Sequence, residues 1–310
     1  MDHKRREFLR LSGNLAAAFA MAPIACKLGS QKEKTAEGEN KDTTSTNNTN
    51  APAVAAIETF GLQLYTLRDD LPKDPKGILK QVADMGYKQI EGYEGPKGLW
   101  WGMKNKEFKS YLDSLGLVMI SSHCDFKKDF DKKAAEAGEI GLKWLMAPWL
   151  GPQKKIDDFK KYAELFNKNG DICKKHGLRF AYHNHDYSFK KLEDQYPQDV
   201  MMQGTNPDTV DFEMDIYWVE VPEEDPEVWL KKYPGRWKLA HVKDRDKNAP
   251  KGEGDWSVDL GTGKIDYKKI LKTAKDNGVE YFIVEQEKYT GSTPLKSAQV
   301  DAEYMKNLRI

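Results

Sequence analysis

Six short apolar runs in this 310-residue chain end in side chains that bind metals or move protons. QIEGY holds Glu91, and LVMISS leads into His123. LRFAYH leads through His183 and Asn184 to His185 and Asp186. VDFEMD holds Glu213 and Asp215. WKLAHV holds His241 and leads into Lys243 and Asp244, and YFIVE ends in Glu285 before Gln286 and Glu287. Four of the six histidines stand at these run ends; His3 and His176 do not. A single such histidine is more often a hydrogen-bonded structural residue, and a single glutamate an ion-pair partner. Brought together, so many would be too costly to bury unpaired. A divalent cation removes that cost, because it neutralises carboxylates and accepts imidazole nitrogen. A mixed carboxylate and histidine set suits Mn²⁺, Co²⁺, Zn²⁺ or Mg²⁺.

A parallel barrel would bring the run ends together. Eight strands are predicted at 60–65, 89–93, 117–122, 143–147, 178–183, 210–215, 237–242 and 281–285. Amphipathic stretches at 76–85, 106–115, 129–140, 156–176, 198–204, 226–233, 266–277 and 293–307 alternate with them. Several helices close on a glycine turn, as in MGY at 85–87 and HGL at 176–178. Eight such units predict an α/β fold, a single-domain (β/α)₈ TIM barrel over 58–310, with chemistry at the carboxyl ends of the strands.

The residues before the barrel read differently. Arg5-Arg6-Glu7-Phe8-Leu9 and the apolar run to Cys26 form a twin-arginine-like export signal over 1–26, with Cys26 placed as a lipoprotein lipidation site. Residues 27–57 hold few apolar side chains and read as a disordered tether. The expectation is therefore an exported protein of the periplasm or cell envelope, touching membrane only through a lipid on Cys26. Lys plus Arg and Asp plus Glu both number 49. Such neutrality argues against a nucleic-acid partner. Cys124 and Cys173 have no spacing that suggests a disulfide framework or a zinc site.

GLQLYTLRDD at 61–70, YHNHDYSF at 182–189, EMDIYWV at 213–219, HVKD at 241–244, GTGKIDYKKI at 261–270 and VEQE at 284–287 carry a resemblance. In order and spacing the chain resembles the xylose-isomerase-like barrel superfamily of sugar phosphate isomerases and epimerases. The last three segments are also similar to those of myo-inosose dehydratase, a lyase of that superfamily. The resemblance implies a metal held by one residue from each of strands 5 to 8. Asp215 and Glu285 match its carboxylate ligands. Two positions depart: Ala181 stands where strand 5 of the epimerases has a glutamate, and Lys243 where strand 7 has its ligand. His183 or His185, and His241, lie on the right strand face to substitute; the expected set is His185, Asp215, His241 and Glu285. The resemblance also implies a small carbohydrate as the partner; no phosphate-binding loop is evident, and export favours a non-phosphorylated sugar.

The chemistry this implies is proton abstraction next to a carbonyl, giving isomerisation or epimerisation, or β-elimination if a leaving group is present. Glu285, His183 and His123 are the candidate proton-transfer groups. Lys243 would offer positive charge, or form a structural ion pair with Asp244, and Glu91 would orient substrate. Trp100, Trp101, Trp149, Tyr217 and Trp218 follow strand ends, where aromatic rings either stack on sugars or fill the core. A non-catalytic sugar receptor on the same scaffold is the alternative.

Overall fold

The computed structural model describes residues 56–310. The signal and most of the tether, including Cys26, lie outside the described residues. Ala56 and Ile57 do not behave as tether: Ala56 bridges Arg309 and Ile57 is buried in the core.

Eight parallel strands close into a barrel in the order β1-β10-β7-β6-β5-β4-β3-β2. They are β1 (Gly61–Gln63), β2 (Gln89–Tyr93), β3 (Val118–His123), β4 (Trp144–Ala147), β5 (Arg179–His183), β6 (Val210–Asp215), β7 (Trp237–Val242) and β10 (Tyr281–Val284). A small antiparallel pair, β8 (Asp244–Arg245) and β9 (Ser257–Val258), decorates the loop after β7. The eight predicted helices are α1 (Pro75–Asp84), α2 (Asn105–Ser114), α3 (Phe130–Glu139), α4 (Ile156–Lys175), α5 (Pro197–Gly204), α7 (Pro226–Lys232), α8 (Tyr267–Asp276) and α9 (Pro294–Asn307). The sequence reading misses the short helix α6 (Ile216–Glu220), which follows β6 directly. None of the described helices is long and apolar enough to cross a membrane.

Local chemistry explains the element ends. Asp74, Asp225, Asp266 and Thr293 accept backbone N–H groups at the starts of α1, α7, α8 and α9. Gly86 and Gly177 take φ of +99° and +77° just past α1 and α4, a conformation costly to a side chain with Cβ.

The barrel interior is built in layers. Ile120, Trp144, Met146, Ala181 and Leu239 form an apolar plug distinct from the larger core under the helices. Above the plug the inward side chains turn polar, which is where the predicted site residues meet. Cys124 and Cys173 are free and buried; burial pushes the Cys173 thiol up to about 12.

Candidate metal centre

The first polar layer contains Gln63, Glu91, Ser121, His123, Glu213 and His241. Glu91 is fully buried and nearly saturated: Gln63 Nε2 donates at 2.6 Å, Ser121 Oγ at 2.5 Å and His241 Nε2 at 2.8 Å. His123 Nε2 lies 3.1 Å from both Glu91 Oε1 and Glu213 Oε2. Burial alone would raise the Glu91 carboxyl, but His123 and then His241 hold it well below the usual range. Glu213 goes the other way, pushed up to about 7 by burial and by the Glu91 charge. His123 is lowered by burial, yet Glu91 and Glu213 override that and push it up to about 9. Glu91 therefore sits beneath the upper layer, is fully buried and does not line the cavity, and holds His241.

The second layer is His183, Asp215, Lys243 and Glu285, with the other edge of His241. Register explains the meeting: Asp215 lies beside His241 across β6 and β7, and His183 beside Glu213 across β5 and β6. One ligand atom from each of His183, Asp215, His241 and Glu285 lies within 4.8 Å of the others. His183 Nε2 is 3.4 Å from Asp215 Oδ2. His241 Nδ1 is 3.6 Å from Asp215 Oδ2 and 3.4 Å from Glu285 Oε2, without a hydrogen bond.

Both imidazoles are oriented for a metal. A carbonyl can only accept, so His183 Nδ1, 3.1 Å from Pro148 O, carries its proton and Nε2 keeps a lone pair. His241 donates from Nε2 to Glu91 and leaves Nδ1 unpartnered and buried; burial would lower this imidazole, but Glu213, Glu285 and Asp215 hold it well above the ordinary value, so Nδ1 carries a proton that a metal would displace. Imidazoles anchored through the outer nitrogen with the inner lone pair free are typical of metal ligands. Asp215 is similarly divided: Oδ1 caps α6 through Trp218 N at 3.0 Å, and Oδ2 faces the site. Asn184, not singled out in the sequence reading, clamps the Asp215 backbone through both its amide atoms.

Lys243 occupies the centre of this layer. Its Nζ is 2.9 Å from Asp215 Oδ2, 2.8 Å from Glu285 Oε2 and 2.5 Å from Glu287 Oε1. Burial would lower this ammonium, but Asp215, Glu285 and Glu287 hold it well above the ordinary lysine value. The anticipated pairing with Asp244 does not form. Asp244 instead accepts the backbone N–H groups of Arg245, Gly261, Gly263 and Ile265, shaping the glycine loop. Gly263 is required there, since a Cβ would meet Asp244 Oδ1 at 2.2 Å. Three carboxylates thus face the Lys243 ammonium and the His241 imidazolium; a divalent ion that displaced the His241 Nδ1 proton would balance the two charges then remaining. The donor set and charge fit such an ion.

His185 falls outside this group. It lies against Tyr187 and Trp218, with ring centroids at 5.8 and 5.1 Å, and burial drives its pKa well down, so it is neutral. Strand 5 meets the four-ligand group through His183 because Ala181, one rung lower on the same face, belongs to the apolar plug. The site opens into a cavity of about 650 Å³ whose lining includes Tyr65, His123, Trp149, His183, Glu285 and Glu287. Of the five aromatic residues after strand ends, Trp100, Trp101 and Tyr217 are buried, Trp218 is half-buried, and only Trp149 is exposed.

The family described as xylose isomerase-like TIM barrel matches residues 79–308, and the chain belongs to it. An inosose dehydratase from Clostridium perfringens is 31% identical over 164 residues; the match spans 48% of this chain and 54%, about half, of that enzyme. The crystal structure of a sugar phosphate isomerase/epimerase from Parabacteroides distasonis superposes with a TM-score of 0.68 at 29% identity, covering 82% of this chain and 95% of that one. The IOLI protein with a bound zinc atom shares the fold, with a TM-score of 0.65 at 17% identity over 79% of this chain and 95% of that one.

Proposed function

We propose that the protein removes a proton next to the carbonyl of a non-phosphorylated sugar derivative, assisted by a divalent metal at His183, Asp215, His241 and Glu285, and that β-elimination follows. The observation that carries this reading is the pair of imidazole nitrogens, His183 Nε2 and His241 Nδ1, that converge with two carboxylate oxygens. A divalent ion held there would polarise the carbonyl and stabilise charge on its oxygen.

The protein side chains divide the remaining work. Glu285 and Glu287 line the cavity as carboxylates on one wall and can accept the proton from carbon. Lys243 offers its ammonium to the developing negative charge. On the opposite wall His123 is an imidazolium, able to donate to a departing oxygen. The C–H pair becomes the C=C bond, the β C–O bond breaks, and the leaving oxygen takes the proton from His123. A single acidic donor facing carboxylates suits elimination. Ala181 supports the same choice, since it leaves strand 5 without a carboxylate to face Glu285. Isomerisation or epimerisation is the second reading, supported by the likeness to the Parabacteroides distasonis structure.

The test is incubation of the Mn²⁺-loaded protein in D₂O with inososes, 3-keto-glycosides and ketoses, followed by NMR. Loss of a β-substituent supports elimination. Deuterium uptake with substituents retained supports isomerisation, and neither on any of the three classes removes the reading. We also read the chain as exported, from its arginine pair and apolar run. Arg5→Lys with Arg6→Lys should leave precursor in the cytoplasm, as fractionation would report; Cys26→Ser should release the protein from membranes if that residue is lipidated.

A further inference from the structure

The cavity has two chemically different ends. His123, His183, Glu285 and Glu287 give it an ionic floor, whereas Tyr65 and Trp149 stand at the rim, 41% and 57% exposed. They follow the ends of β1 and β4, which are separated by two strands around the barrel, so they stand on different sides of the mouth. Tyr65 is held in place, edge-on to Tyr93 at 5.2 Å and under the Arg68 guanidinium at 4.8 Å.

Trp149 is different. Among the described residues it has no aromatic neighbour and no hydrogen bond from its indole nitrogen, and at 57% it is more exposed than Tyr65 at 41% or Trp256 at 38%. Gly151 lies against the indole: a Cβ there would come within 3.0 Å of the ring, and the φ of +76° also favours glycine. The chain therefore makes room to hold a large apolar ring at a mouth where it gains little burial of its own. Such a surface is stabilised when a ligand covers it. The cavity, about 650 Å³, falls in the range that takes drug-sized ligands, and one sugar ring seated on the ionic floor leaves much of it empty.

We infer that the rim between Trp149 and Tyr65 is a subsite for a second ring joined to the sugar that reacts on the floor; the inference rests on the reaction proposed above only for which ring is the reacting one. The apolar face of a pyranose and the face of an aromatic aglycone present the same surface to an indole. Asp125 and Lys127 also line the cavity and can take hydroxyl groups. The substrate class is accordingly a glycoside and not a free monosaccharide.

The test titrates Mn²⁺-loaded full-length protein with methyl β-D-glucopyranoside, cellobiose and phenyl β-D-glucopyranoside, followed by calorimetry. At least one two-ring ligand should bind about tenfold tighter than the methyl glycoside. Trp149→Ala should remove that advantage while methyl glycoside affinity and metal content stay unchanged, and Trp149→Phe should restore most of it. Preference for cellobiose assigns a sugar as the second ring; preference for the phenyl glycoside assigns an aromatic group. Equal affinities, including no measurable binding of any of the three, overturn the subsite, as does an advantage that survives Trp149→Ala. Because turnover is not read, failure of the elimination reaction leaves this result standing.

Discussion

Two layers of the barrel interior are made from the same residue types and do opposite things. The lower layer joins Glu91, His123 and Glu213 with Gln63 and Ser121, and most of its donors and acceptors are spent on one another; Glu213 Oε1 and the edge of His123 that lines the cavity are the exceptions. The upper layer joins His183, Asp215, Glu285 and Lys243, and keeps imidazole nitrogens and carboxylate oxygens turned toward a common point. His241 belongs to both, with one nitrogen in each. Residue type alone does not make a reactive site. Valences left unfilled by neighbours do, and a filled layer underneath keeps them aimed.

The largest expected effect lies in the upper layer. Glu285→Gln, or removal of metal by EDTA, should each abolish solvent-deuterium exchange on the true substrate, by at least ~10³-fold for loss of a ligand that also lines the reacting wall. Exchange surviving both treatments would mean the upper layer is structural. Glu91→Gln tests the reverse. One amide oxygen cannot accept all the donors now on Glu91, so the change should cost about 3–5 kcal/mol in denaturant unfolding. Metal affinity should also fall by roughly 10–100-fold, because His241 loses its anchor. An unaltered unfolding midpoint would show that the lower layer is not holding the site.

Lys243→Met sharpens the division within the upper layer. Three buried or half-buried carboxylates lose their ammonium, so the metal-free protein should lose about 3 kcal/mol or more. Mn²⁺ should restore much of this, since it uses two of the same carboxylates, and melting temperature with and without Mn²⁺ reads the difference. No extra stabilisation by metal would mean that lysine and ion do not share partners.

Asp301 shows what a buried acid does without a cation. It accepts Leu260 N at 2.7 Å, its Oδ2 has no partner, and burial pushes it up to about 8. The folded state then holds a proton that the unfolded chain, with a carboxyl pKa near ~3.9, has released. This group's contribution is full below pH ~4 and is lost as pH rises toward 8. Asp301→Asn should therefore flatten the decline in melting temperature between pH 5 and 8, and an unchanged slope would refute the assignment. The smallest effect belongs to His185→Ala, which should leave bound metal unchanged within error, whereas His183→Ala should lower it. Elemental analysis of both variants decides between the two histidines.

Much was written locally. The eight strands fall within a residue or two of the spans read from apolar runs, the first, Gly61–Gln63, departing most. Turn glycines and capping aspartates stand beside the elements they end. The clustering of Asp215, His241 and Glu285 also followed from sequence, because strand parity and barrel closure together place those side chains at one mouth. Three things did not follow, each because it depends on partners distant in the chain. Whether His183 or His185 faces the four-ligand group depends on side-chain direction past the strand end, where period-two alternation no longer applies. Glu91 looked like any strand-end carboxylate until Gln63, Ser121, His123 and His241 were seen to surround it. Lys243 sits next to Asp244 in sequence, yet pairs with Asp215, Glu285 and Glu287, because the barrel brings those charges to it and gives Asp244 to the backbone of the glycine loop.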